Sequence, residues 1–273
     1  FKSFLNLDQL NSVELSGKLF NYSKFKFIPK TVLNVPFNLG RTARGISFKN
    51  LYDFNLPGNK QDFIGKQYID QLNGVPHKKV IKDLLLIMKR EEMLTAADIM
   101  NCPNNKRLKL YPAWSSLSPW DKFTIEEKYH TYIESFIKNR SRHGAKFICK
   151  NGKLTTEEIY SPTTAESHVN QIDKLIKSIR NKGFMKSDKS PRAYILVNNH
   201  NEWRWIMSSE GNHRSYLFYL FDVEKLTVII EDVVYRESLK SSFNVKNGLY
   251  TLEEAENIFD GIFNGNSYIR GII

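Results

Sequence analysis

The sequence has few cysteines and no long apolar run, and both shortages exclude classes of protein. Of its 273 residues only Cys102 and Cys149 are cysteines, and they lack the paired spacing of a zinc site or a disulfide framework. We therefore expect two reduced thiols. No apolar run approaches the ~20 residues of a membrane span. No secretory signal is visible, although the chain begins at Phe1 without a methionine. We expect a cytoplasmic protein without a membrane span.

Acidic residues are scarce in the first part of the chain. Residues 1–150 contain 25 lysines and arginines against 13 aspartates and glutamates, whereas residues 151–273 contain 15 against 16. The net charge of +11 therefore belongs to the first region. Such a basic surface binds nucleic acid, an anionic glycan or an anionic membrane, or is simply solvated. Because the basic residues are dispersed and no helix-turn-helix is legible, nucleic acid is the less favoured partner.

Apolar residues at helical spacing predict a largely helical region before residue 150. The pattern indicates helices over residues 62–72 and after Pro76, and Thr95 is a candidate cap for a short third helix. Ser118, which precedes a proline, is a candidate cap for the next helix. Residues 33–41 are interrupted by proline and read as irregular chain laid over a surface.

The end of that fourth helix and the joint between the two regions carry further signals. Residues 138–144 place arginines and a histidine at a helix end, where they either complement the helix dipole or bind phosphate. An Asn-Gly-Lys turn at residues 151–153 is typical of a hairpin, and we place the boundary between regions 1–150 and 151–273 there. Later, Thr251 opens a capping-box signature before a closing helix. The whole chain is long enough for a substantial core in a mixed α/β (α+β) fold.

Four chemically different side chains surround one glycine at residues 210–214: an acid before it, and a carboxamide, an imidazole and a guanidinium after it. They lie between an aromatic-rich strand at residues 202–207 and an apolar run at 216–221 that begins a buried helix. The glycine lets backbone approach a ligand, and the unpaired amides of a helix start suit an anion. The alternative is a helix capped by Ser209 or Asn212, with the imidazole and guanidinium merely solvated.

The elements around this motif come in a recognisable order. A helix at residues 169–179 stops near Gly183, a strand follows at 191–198, and a hairpin leads to the motif, its helix and a closing strand at 226–230. This order, with an acid-Gly-x-His-Arg turn, resembles the ParB/sulfiredoxin superfamily over roughly residues 155–235. The resemblance implies a ParB/sulfiredoxin-like domain attached to a largely helical, basic N-terminal region.

The motif departs from two branches of that superfamily and is most similar to a third. Sulfiredoxins carry a reactive cysteine where this chain has Asn212, and partition proteins carry an arginine where it has His213. The free-serine-kinase branch has Asp-Gly-His-His-Arg, which Glu210, Gly211 and Arg214 match together with His213. Thiol chemistry is thereby excluded, and the substrate of the kinase branch does not carry over.

The resemblance implies a nucleotide-dependent phosphotransferase, a kinase using ATP or ADP, with Mg²⁺ brought by the nucleotide. Its acceptor would be a hydroxyl of a small molecule or a glycan. A carboxylate must take the hydroxyl proton, and Glu166 or Glu210 is the candidate, with Glu157 and Glu158 in reserve. His213 is a further catalytic donor, and the phosphates would be cradled by Gly211, Asn212, Arg214 and Ser215. The alternative is a non-catalytic nucleotide- or nucleic-acid-binding module.

Overall fold

The computed structural model describes residues 32–43, 45–48, 63–142, 156–182, 191–208 and 211–265. Within them lies a five-stranded sheet of order β1-β5-β3-β4-β2. β1 pairs with β5 and β3 with β4 in antiparallel fashion, whereas β3 pairs with β5 and β2 with β4 in parallel. The strands are β1 Val32–Pro36, β2 Gly40–Arg41, β3 Arg192–Val197, β4 Trp203–Met207 and β5 Lys225–Tyr235. The expected mixed α/β (α+β) class is confirmed at this level.

Helices cover both faces of the sheet and connect most of its strands. They are α1 Phe63–Leu72, α2 His77–Glu92, α3 Ala96–Ile99, α4 Ile125–Arg142, α5 Thr156–Ile159, α6 Pro162–Lys182, α7 Asn212–Leu220, α8 Phe243–Lys246 and α9 Leu252–Phe263. The helices predicted from apolar spacing in the first region, at residues 169–179 and after the motif are therefore all present. No helix among the described residues is long and apolar enough to cross a membrane.

Residues 33–41 were expected to be irregular, and that prediction is wrong. They form β1, a short 3-10 turn and β2. Leu33 and Val35 both point into the core, at 6% and 0% exposure. Asn34, between them, points the other way, and its side chain accepts a hydrogen bond from Thr227. Pro36 is tolerated because it ends an edge strand, where no ladder bond from its nitrogen is needed.

The sheet separates two hydrophobic cores because alternate residues of its strands face opposite sides. Ile195 and Trp205 point towards α6 and α7, in a core that also contains Phe37 and Phe48. Leu196, Ile206 and Val234 point towards α9 and the segment before α4. A third cluster fills the space between α2, α4 and α6. The molecule is thus a sheet between two helical layers with an additional helical wedge.

Two of the three predicted helix caps are correct. Thr95 and Thr251 each accept a hydrogen bond from the backbone of the third helical residue, and the acid at that position bonds back. Ser118 caps nothing, since α4 begins only at Ile125. Thr124 caps it instead, accepting from the amide of Glu127 and donating its own amide to that side chain. The Ser118 amide donates to Asp121, which holds the preceding segment as a turn.

The sheet is built from both sides of residue 150, since β1 and β2 precede it and the other strands follow it. The hairpin at residues 151–153 lies outside the described residues, and the boundary there stays a prediction. Arg41 also crosses that division: its buried guanidinium donates to the carbonyls of Ile262, at 2.9 Å, and Phe263 at the end of α9. Cys102 is a buried free thiol, as expected, and burial raises its pKa to about 12; Cys149 is outside the described residues.

Candidate functional site

α7 begins directly after Gly211, as the motif predicts. Gly211 has a φ of 87°, a left-handed conformation that side chains rarely adopt. A Cβ there would lie 2.6 Å from the Cβ of Pro191. The close approach that this glycine permits is therefore made by Pro191, not by a ligand. Ser215 is also structural, because its buried hydroxyl donates to the carbonyl of Gly211 at 3.1 Å.

His213 belongs to a polar cluster formed by four helices. Its Nδ1 hydrogen-bonds the hydroxyl of Tyr68 on α1, and its ring lies 5.1 Å, edge to face, from that of His168 on α6. Arg140 on α4 donates from Nη2 to Nδ1 of His168 at 3.0 Å and from Nη1 to Gln171 at 2.9 Å. We call Tyr68, Arg140, His168 and His213 the donor cluster.

The proton positions in the donor cluster follow from the chemistry of its members. A guanidinium can only donate, so Nδ1 of His168 is an acceptor and the proton of the neutral ring lies on Nε2. Burial, then Arg140, then His213 hold the pKa of His168 well below its usual range, which keeps the ring neutral. Nε of Arg140 and Nε2 of His168 are buried, with no hydrogen-bond partner among the described residues. Within the part of the chain that the structure describes, two N–H groups of the donor cluster therefore have no acceptor.

Arg140 and His213 line one side of a cavity of about 1080 Å³. Ser208, directly after β4, lines the same side; it is 9% exposed, and its hydroxyl has no partner among the described residues. A buried polar group costs free energy unless it is paired, so this wall favours a ligand that accepts hydrogen bonds. The N-terminus of α7, which carries His213, adds partial positive charge on this side.

The other side of the cavity is formed by carboxylates and a tyrosine, which we call the acid cluster: Asp121, Tyr194 and Glu231. The Tyr194 hydroxyl donates to Oδ1 of Asp121 at 3.4 Å, and the Ser118 amide donates to Oδ2 at 2.6 Å. Burial is the main cause that raises the pKa of Asp121, and the bond from Ser118 opposes it. Glu231 forms an ion pair with Arg192 at 3.2 Å.

A β-bulge lies at Glu231, beside the cavity. Ala193 pairs with Ile230 but Tyr194 pairs with Asp232, so β5 has one extra residue at position 231. Ile230 faces the core that contains Trp205, so Glu231 faces the opposite side by ordinary alternation and lines the cavity with Tyr194. The bulge changes the alternation beyond it, and Val234 then faces the same side as Leu196 and Ile206.

Members of both clusters line the same cavity. Tyr194 lies directly opposite Ile206 in the ladder between β3 and β4, and Ser208 is two residues further along. Diagonal neighbours of this kind are about 7–8 Å apart, so the Ser208 hydroxyl is a donor close to the acid cluster. The cavity therefore presents both hydrogen-bond donors and hydrogen-bond acceptors.

The structure brings together only part of the predicted site. His213 lines the cavity, whereas Glu166 is exposed on α6 and is not among the lining residues. Because Glu166 precedes His168 by two residues, it lies roughly 200° around the helix from it. Arg214 is half-buried in the first turn of α7. Glu210 and the side chains of Glu157 and Asn212 lie outside the described residues; Asn212 is the first residue of α7 and not its cap.

Sequence reasoning missed Tyr68, His168, Asp121 and Glu231. Three of these occupy ordinary positions of amphipathic helices or a strand, and no local pattern marks them. The sequence around Asp121 does carry a local indication, because Ser-Pro-Trp-Asp is typical of a turn and a turn holds its acid in a defined position. No protein-family model, curated protein sequence or solved structure shows a significant match to the chain.

Proposed function

We propose that the protein is a nucleotide-dependent phosphotransferase, a kinase that transfers a phosphoryl group from ATP or ADP to a hydroxyl of a small molecule or glycan. The observation that carries the proposal is the pairing of the two clusters in one cavity. Phosphoryl transfer requires mainly that charge be neutralised on the phosphates and that the acceptor be positioned. The donor cluster suits the first task and the acid cluster suits the second.

The donor cluster has the chemistry of a phosphate site. Guanidinium N–H groups form short, strong hydrogen bonds to phosphate oxygens, and Nε of Arg140, which lines the cavity, has no acceptor among the described residues. The hydroxyl of Ser208 adds a further donor, and the N-terminus of α7 adds partial positive charge. The ParB/sulfiredoxin-like resemblance, which we retain as a proposal, puts the nucleotide phosphates at the neighbouring turn of Gly211, Asn212, Arg214 and Ser215, and His213 is the residue that this turn contributes to the donor cluster.

The cavity suits a nucleotide in size and in its metal-ligating groups. Ligand cavities typically measure about 300–1,000 Å³, and this one has about 1080 Å³. Among the residues that the structure describes, no three His, Cys, Asp or Glu side chains converge as a metal site. A Mg²⁺ ion held by these residues would take most of its ligands from phosphate and water, which is its usual manner of binding. When bound, it would neutralise phosphate charge.

The second candidate, a non-catalytic nucleotide- or nucleic-acid-binding module, is favoured by the basic first region alone. It would use the donor cluster in the same way. It would give no role to the carboxylates of Asp121 and Glu231, which line the same cavity. Negative charges near a phosphate site weaken the binding of an anion. Tight binding of duplex DNA at ~150 mM salt, with a steep loss as salt rises, would favour this candidate.

Thermal unfolding with and without nucleotide tests the proposal. ATP or ADP at millimolar concentration with Mg²⁺ should raise the melting temperature, because a ligand that binds only the folded state stabilises it. Arg140→Gln should reduce the affinity by ~10-fold or more, since hydrogen bonds to charged groups contribute about 1.5–3 kcal/mol. Arg180→Gln, an exposed position on α6, is the matched control and should behave like the wild type.

The unliganded melting curve of each variant shows whether it folds. If neither nucleotide moves the melting temperature of the wild type, the proposed function is wrong. If Arg140→Gln and Arg180→Gln respond alike, nucleotide binds elsewhere.

A further inference from the structure

Asp121 is held in one orientation by three hydrogen bonds from different parts of the chain. Ser118 donates its amide to Oδ2, Tyr194 donates its hydroxyl to Oδ1, and Asn244 donates its side-chain amide to the Asp121 carbonyl at 3.0 Å. Asn244 is itself 1% exposed. A carboxylate fixed in this way pays little further entropy when it meets a bound hydroxyl.

The surroundings of Asp121 raise the pKa of its carboxyl group above the ordinary value. Burial is the main cause, and Glu231 on β5 adds to that effect. The amide of Ser118, then Lys128 on α4 and the hydroxyl of Tyr194 on β3 lower the pKa, and Tyr250, ahead of α9, also faces this carboxylate. The net direction is upward. A general base is most efficient when its pKa lies close to the working pH.

Three other acids, Glu231, Glu127 and Glu166, are less suited to the task. Glu231 is engaged by Arg192, and a carboxylate in an ion pair is a weaker base. Glu127 also lines the cavity, but it is exposed and bonds the amide of Thr124 as part of a helix cap. Glu166 lies on another face of α6.

We infer that Asp121 is the catalytic base of the proposed phosphotransferase and accepts the proton of the acceptor hydroxyl group. This inference rests on the proposed function. The hydroxyl oxygen forms a bond to the terminal phosphorus of the nucleotide as its O–H bond breaks and the proton moves to Asp121. The bond between that phosphorus and its bridging oxygen breaks, and its electron pair leaves with the shortened nucleotide. The proton on Asp121 then returns to solvent.

The same geometry assigns Tyr194 as a positioning residue. Its hydroxyl donates to Asp121, so it orients the carboxylate and stabilises the ionised form without touching the phosphates. Removing that donor should raise the pKa of Asp121 further. If Tyr194 had only a structural role, its replacement by phenylalanine would leave the pH dependence of turnover unchanged.

The experiment measures turnover and nucleotide affinity separately. The wild type and its variants are incubated with terminally labelled ATP and Mg²⁺, with water or 1 M glycerol as acceptor, and labelled phosphate and glycerol phosphate are counted. Asp121→Asn should lower turnover by ~10²-fold or more, the usual size of a general-base contribution, with nucleotide affinity within about 3-fold. Glu134→Gln, at an exposed position on α4 outside the cavity lining, is the control and should keep turnover within about 2-fold. Asp121→Glu should retain part of the activity.

The pH profile distinguishes a base from a structural group. Turnover of the wild type should rise through an acidic limb set by Asp121, and Asp121→Asn should remove that limb. In Tyr194→Phe the limb should move to higher pH, a result that stays informative even where Asp121→Asn fails to fold. An unmoved limb in Tyr194→Phe overturns the inference.

The remaining outcomes separate the inference from the function on which it rests. A wild type that binds no nucleotide overturns the proposed function itself. A wild type that binds nucleotide but transfers phosphate to neither acceptor overturns catalysis and leaves a binding module. Full turnover by folded Asp121→Asn overturns only the assignment of the base.

Discussion

The two walls of the cavity are built from different elements and satisfied in different ways. The donor cluster comes from four helices, and two of its N–H groups lack acceptors among the described residues. The acid cluster comes from two strands and a turn, and its Asp121 already accepts two hydrogen bonds. The donor cluster therefore has N–H groups that a ligand could still engage, whereas the carboxylate of Asp121 is already oriented by hydrogen bonds before a ligand binds. This difference is expected where one wall binds an anion and the other handles a proton.

The largest effect on stability should come from the start of α7 beside the donor cluster. Gly211→Ala forces alanine into positive φ and places its Cβ against Pro191. Strain and overpacking together should cost about 3 kcal/mol of unfolding free energy. Gly74→Ala is the control, because Gly74 also has positive φ but has nothing within 4 Å; it should cost about 1 kcal/mol. Urea unfolding measures both, and equal losses would mean that the contact with Pro191 is unimportant.

Acid should destabilise the donor cluster through His168. Its folded pKa lies below the ordinary 6.5, so the stability that its neutral form contributes is present above pH 6.5. That stability is lost as pH falls from 6.5 towards the folded pKa. His168→Asn keeps an acceptor near Nδ1 for Arg140 and cannot titrate. The melting temperature of the wild type should therefore fall more steeply from pH 7 to 5 than that of His168→Asn, and parallel curves would contradict the assignment.

The acid cluster should show a smaller effect of the opposite sign. The folded pKa of Asp121 lies above the ordinary 3.8, so the wild type loses stability as pH rises from 3.8 to that folded value. Asp121→Asn, which cannot ionise, should be more stable than the wild type at pH 7, and the difference should shrink at pH 4. Melting curves at the two pH values measure it. A variant that is less stable at pH 7 would show that the ionised carboxylate is well solvated.

Much of the fold was predictable because it depends on local patterns. Helical spacing and the caps at Thr95 and Thr251 concern residues three or four positions apart, and these predictions are confirmed. The edge strand β1 was missed because its partner begins at Lys225, and Pro36 argued locally against a strand. Ser118 precedes a proline as a helix cap would, but its amide donates to Asp121 and forms a turn, and the helix begins only at Ile125.

The candidate site was predictable only where one residue carried its own signal. Arg140 lay in a helix end rich in arginine, and His213 lay in a glycine turn, so both were considered as phosphate ligands. His168 and Tyr68 acquire their chemistry only when α1, α4, α6 and α7 meet. Glu231 lies on the cavity side of β5 by ordinary alternation, but the residues that share the cavity with it come from distant parts of the chain.

The route of the chain through the sheet also bears on how the protein folds. Arg41 donates to carbonyls at the end of α9, and one of them, that of Ile262, is 221 residues away in sequence. β1 likewise pairs with β5, which is far from it in the sequence. Contacts between such distant residues slow folding, because the entropy of closing a long loop is lost before the contact forms. During synthesis from the N-terminus, β1 and β2 emerge well before any strand that can pair with them. Assembly of the sheet is therefore a late event, and chains that stop before α9 leave the Arg41 guanidinium without those acceptors.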